Sequence, residues 1–143
     1  MTQLKKFLES GKLGPIVLGV TPNEVMGWLG DAELTSRKSN PLQLKYGSLQ
    51  LVFWRPRKRT PHQLHEIIIS FQPNFEPLPP SLKLDDFLHA NGRTEHAFRQ
   101  YIHSINLPPS SMEDGASGRQ LLFLSGVTVL FTRGLLHLSL IHI

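Results

Sequence analysis

The residues best suited to chemistry lie in one short run. Arg55-Pro56-Arg57-Lys58-Arg59 sets four cations in five positions, directly after Trp54 and just before His62. Guanidinium forks pair with carboxylates or phosphates, and an indole offers a flat apolar anchor. Pro56 and Pro61 suit a solvated loop. Two readings follow. The run is a protruding contact loop for an anionic partner, or a solvated loop that keeps strand ends from pairing.

Other groupings offer less. His62 and His65 straddle the expected start of a strand, so shared facing is not required. His89, His96 and His103 recur every seven residues, but Asn91-Gly92 should break the helix between the first two. His96 and His103 are left on one expected helical face. His137 and His142 differ by an odd number on a strand pattern, so they point to opposite sides. No carboxylate completes a ligand set, and no metal site or cofactor is expected. Asp85-Asp86 reads as an acidic helix start, and adjacent acids on a helix diverge. No phosphate-binding glycine loop or nucleophile elbow occurs. The sequence names no catalytic residue, and the chain is expected not to be an enzyme.

Composition narrows the classes further. With 143 residues the chain is the size of one domain. It has no cysteine, which excludes disulfides, thiolate metal sites and thiol catalysis. Fifteen basic against eleven acidic residues give a formal charge of +4. That balance permits an acidic partner or nucleic acid without demanding either. No apolar run is long enough to span a membrane, and the N-terminal residues lack the centre of a secretion signal. A cytoplasmic protein, monomeric or homodimeric, is the expectation.

These residues need a frame. Thr21-Pro22-Asn23-Glu24 is a helix start: Thr21 caps, Pro22 suits the first turn, and Glu24 completes a capping box. Gly30 ends that helix. An earlier helix is expected over 2–10, carrying Leu4, Phe7 and Leu8. Residues 31–40 read as a loop. Leu42, Leu44 and Tyr46 alternate with polar residues, Gly47-Ser48 turns the chain, and Leu49, Leu51 and Phe53 alternate again. A third strand is expected over 65–71.

Four prolines between Pro73 and Pro80 read as a linker. The order then recurs: a helix over 95–105, a flexible loop over 110–118, a hairpin turning at Ser125-Gly126, and a last strand over 135–141. An offset of 78 lays Leu49–Phe53 on Val127–Phe131, and an offset of 71 lays Leu64 and Ile67 on Leu135 and Leu138. The seven-residue difference falls in the basic loop. The reading is a single domain, with repeat one over 1–72 and repeat two over 81–143. The fold class is α+β: two helix-plus-hairpin units form an antiparallel sheet with helices on one face.

Leu42, Leu44, Leu49, Leu51, Phe53, Ile67, Ile69 and Phe71 should face the helices. The opposite face would carry Val52, Trp54, Ile68, Leu130 and Ile141, among polar residues that include Thr128, Thr132 and His137. Apolar groups ringed by polar ones suit a binding patch.

Gly19-Val20-Thr21-Pro22-Asn23-Glu24-Val25, with Trp28-Leu29-Gly30 and the Tyr46-Gly47 hairpin, resembles the module of β-lactamase-inhibitor-protein and small outer-membrane-lipoprotein folds. It also resembles bacterial toxin-immunity-type proteins in which the module occurs twice. The resemblance covers 19–71 most clearly. Without a cysteine the lipid-anchored role is not expected. The resemblance implies a non-enzymatic binder that neutralises a toxin or enzyme by covering it. Its contact set would be Trp54, Arg55, Arg57, Lys58, Arg59, Val52, Ile68, Leu130 and His137. The basic charge argues against a basic nuclease as target. The alternative is a small nucleic-acid-associated protein using the Arg55–Arg59 loop.

Overall fold

Alternating apolar residues build one antiparallel sheet of eight strands in the computed structural model, which describes residues 3–35, 40–70, 78, 79, 82, 95–115, 118–132 and 135–142. The strands are β1 (Leu34–Thr35), β2 (Leu42–Tyr46), β3 (Leu49–Trp54), β4 (Gln63–Ser70), β5 (Ser111–Gly115), β6 (Gly118–Leu122), β7 (Val127–Thr132) and β8 (Leu135–His142). Their spatial order is β1-β2-β3-β4-β8-β7-β6-β5. Each half is a four-stranded meander, and the halves meet where Ile67–Ser70 pairs with Ser139–His142. The α+β class is as expected. Two segments read as loops contain strands: β1 lies within 31–40 and β5 within 110–118. Both are short or polar edge strands, which carry little apolar alternation to signal them.

The ladders of β3 with β4 and of β7 with β8 run in corresponding register. Leu49 pairs with Ile69, and Val127 pairs with His142. An offset of 78 from β3 to β7 therefore goes with 73 from β4 to β8, not the expected 71. The expected alignment is two residues out along the last strand, a slip that keeps every side chain on its side; a β-bulge shared by both halves leaves the offset unchanged. Val52 pairs with Glu66 but Phe53 with Leu64, so His65 is an extra residue in β4. The register shifts at the matching place in β7, between Leu130 and Thr132. A bulge breaks strict alternation. It brings Leu64 onto the same buried side as Ile67, which strict alternation would have opposed.

One side of the sheet forms the core. Leu44, Leu49, Leu51, Phe53, Ile67 and Ile69 are buried there, as expected, with Leu121, Val127, Val129 and Phe131. Phe71, the linker prolines 73, 77 and 80, and the segment of Asp85-Asp86 and His89 lie outside the described residues. Three helices among the described residues, α1 (Gln3–Ser10), α2 (Pro22–Leu29) and α3 (Glu95–Ser104), add their apolar stripes to the same cluster. Leu4, Phe7 and Leu8 come from α1, Val25 from α2, and Phe98 and Ile102 from α3. The Phe98 ring meets Phe131 edge-on, with centroids 5.6 Å apart. That geometry suits the ring quadrupoles. Phe98→Ala should cost about 3–5 kcal/mol of unfolding free energy, measured by urea denaturation.

Local chemistry fixes the helix ends. The Glu24 amide donates to Thr21 Oγ1 at 3.3 Å, and Glu24 Oε1 accepts from the Thr21 amide at 3.1 Å. The expected capping box is thus formed. Just before it, Leu64 exchanges backbone hydrogen bonds with Gly19 and Val20 at 2.8 and 2.7 Å. The residue beside the bulge therefore ties the start of α2 to the sheet.

At the other end of α2, the Tyr46 hydroxyl donates to the Gly30 carbonyl at 2.7 Å. Burial and the charge of Asp31 push the Tyr46 phenol up. Next to it, Glu33 accepts from the Gly47 amide at 2.9 Å and from Lys45 Nζ at 3.3 Å. The Gly47 bond first, then Lys45, hold the Glu33 carboxyl below its ordinary range. A lowered carboxylate pKa stabilises above the unfolded value and loses that effect as pH falls through the folded one. The thermal midpoints of wild type and Glu33→Gln should therefore differ near neutral pH and converge as pH falls through and below the ordinary Glu range, as read by circular dichroism melts.

Candidate binding surface

The basic run forms the loop between β3 and β4. Trp54 pairs with Gln63, so the ladder closes at its base over residues 55–62. In the second half, Thr132 pairs with Leu136 across only residues 133–135. The basic loop is thus five residues longer than its counterpart, not seven; the remaining two are the slip in the expected alignment of β4 on β8.

Side chains fix the loop's shape. Asn40 lies beside Arg55, donating to its carbonyl at 2.9 Å and accepting from its amide at 3.1 Å. This continues the strand pairing past β2 with an amide side chain. Arg55 Nη1 then donates to the Lys58 carbonyl at 2.7 Å. Thr60 Oγ1 donates to the Arg57 carbonyl at 2.7 Å and accepts from the Arg57 amide at 3.2 Å. Arg57, Lys58 and Arg59 are exposed, and among the described residues none forms an ion pair. Trp54 is 49% exposed at the foot of the loop.

The expected contact residues divide. Trp54, Arg57, Lys58 and Arg59 lie together and open to solvent. Arg55 is half-buried and turned back on its own loop. Ile68 and Leu130 are half-buried on the sheet side opposite the helices. Val52 was expected to be accessible and is only 9% exposed. It stands between its pairs Gln43 and Glu66, and beside it Gln50 Nε2 donates to Gln43 Oε1 at 3.0 Å. Those long polar side chains cover a small β-branched one. For His137 the ladder gives a register position: Leu136, not His137, stands opposite Thr132, because the pairing shifts there.

The outer side is nevertheless ordered around the join. Gln50, Ile68, Ile141, Thr128 and Leu122 fall in one row of ladder pairs. Ile68 and Ile141 pair at its middle.

Sequence reasoning passed over Trp28 on α2, an indole that is also exposed, and Met112 on β5. Trp28 shares the helical pattern of core residues, so nothing in that pattern separated it from them. His96 and His103 do share a side of α3, with Arg99 between them, lining one surface hollow. Among the described residues no group of three or more potential ligands could hold a metal. A separate groove of about 480 Å³ lies at the end of α3, walled by Ile102, Leu107, Pro108 and Met112. Its Arg99 is 3.6 Å from Glu95, a carboxylate that Arg119 also holds at 2.6 Å. Arg119 in turn binds Asp114 at 2.7 Å, and these acids raise its pKa. That cluster is internally balanced, whereas the basic loop is not.

Among the described residues, no helix is long and apolar enough to cross a membrane. No protein-family model matches the chain, and no match is found among curated proteins or solved structures.

The exposed indole and the cations give an optical test. In Trp28→Phe, the remaining Trp54 emission should be quenched more strongly by iodide than by caesium at low ionic strength. The difference should shrink by 0.5 M salt, where the screening length is only a few ångströms. Stronger quenching by caesium would mean that the loop's field does not reach Trp54.

Proposed function

We propose that the chain is a non-enzymatic protein-binding module, of the immunity or inhibitor kind, that neutralises a toxin or enzyme by covering it. The observation that carries this reading is Trp54, half-exposed at the foot of a loop whose three outward cations have no acid partner among the described residues. Buried aromatic anchors supply most interface energy, and surrounding charges steer the encounter and set its orientation. Trp54 is the anchor. Arg57, Lys58 and Arg59 meet carboxylates on the partner, while Ile68 and Leu130 extend the apolar contact along the sheet. The partner is therefore acidic where the loop lands.

The test is co-expression with the product of the neighbouring gene, followed by titration of the purified pair. A stable complex that inhibits the partner is the expected result. Trp54→Ala should weaken it by about 2 kcal/mol, close to 30-fold, with the thermal midpoint nearly unchanged. Unfolding of Trp54→Ala would show the indole to be part of the core and overturn the assignment. Retention on single-stranded DNA or RNA that collapses between low and moderate salt, without a protein complex, would favour the nucleic-acid reading instead.

A further inference from the structure

The four cations of the basic loop do not do the same work. Arg57, Lys58 and Arg59 project outward, but Arg55 spends its guanidinium on the Lys58 carbonyl at 2.7 Å. Its backbone is held on both sides by the Asn40 side chain. Thr60 closes the outer turn through both polar groups of Arg57. The bonds form a chain from the end of β3 to the tip: Asn40 to Arg55, Arg55 to Lys58, Thr60 to Arg57. Such bonds form within the free protein and need no ligand.

We propose that Asn40 and Arg55 are positioning residues that hold the loop in its binding shape before any partner arrives, so that Arg57, Lys58 and Arg59 form a preformed cationic hook for carboxylate-rich protein surface. This rests on the reading of the loop as a docking element. A flexible loop of this length would lose backbone freedom at each ordered residue on binding. A braced loop has already lost it, and the saving appears as affinity. The exposed position of each bond limits its worth to the range of a single surface hydrogen bond. Together the brace should account for roughly a tenfold change in affinity, by the 1.4 kcal/mol per decade conversion.

Asn40→Ala is the informative variant, because it removes the brace and leaves the charge untouched. Arg55→Lys keeps the charge but loses the planar fork. The full chain is titrated with a fluorescent poly-glutamate 20-mer across a salt series, and loop amide exchange is followed by NMR in the free protein. Arg57→Ala, Lys58→Ala and Arg59→Ala should each weaken binding and flatten its salt dependence. Asn40→Ala should weaken binding severalfold, leave the salt dependence unchanged, and speed exchange at the Arg57 and Thr60 amides. Arg55→Lys should show the same pattern in smaller degree.

If Asn40→Ala binds and exchanges like wild type, the brace proposal fails while the docking reading stands. A flattened salt dependence in Arg55→Lys, which keeps its charge, would make Arg55 a contact residue and overturn its positioning role. If wild type ignores poly-glutamate while Asn40→Ala still speeds exchange, the brace exists but the carboxylate-directed reading of the loop falls.

Discussion

Four ladder pairs, Ile67–Ser70 against Ser139–His142, turn two separate meanders into one sheet. Everything else depends on that join. It extends one apolar surface over eight strands, long enough for α1, α2 and α3 to bury their stripes in a single cluster. Hydrophobic burial scales with contiguous area, so the join sets how much core the chain can have.

The bulge at His65 is the second constraint. It lets Leu64 face inward, and Leu64 is the residue whose backbone receives Gly19 and Val20. An irregularity in a strand thereby ties the start of a helix to the sheet. The same interruption recurs opposite Phe131 in the other half. Bulges re-aim side chains. Here the displaced residue, His65, is exposed on the strand that leaves the basic loop.

Much of this frame was legible in the residues. The capping box from Thr21 to Glu24 was readable because each of its parts has its own side-chain chemistry. The inward side of β2 and β3 was readable because alternation there is unbroken. What escaped was what alternation does not encode. β1 is two residues long, and β5 runs Ser-Met-Glu-Asp-Gly, so neither shows an apolar period. The offset of 73 in place of 71 was hidden because a two-residue slip keeps every side chain on its side. At the candidate site, Trp54 and its cations stood out by type alone. The inward turn of Arg55 did not, since sequence gives four like charges with no means of telling a brace from a contact. Val52 was misjudged for a related reason: alternation gives a side of the sheet, not the height of the neighbours around it.

The unequal lengths of the two matching connections carry one more implication. A closing pair at Trp54 and Gln63 corresponds to one at Thr132 and Leu136, where the chain crosses with only three intervening residues. The architecture thus tolerates either length at that corner. What lies between the closing pairs is released from the demands of folding, so its length and residues can change while the framework underneath stays as it is.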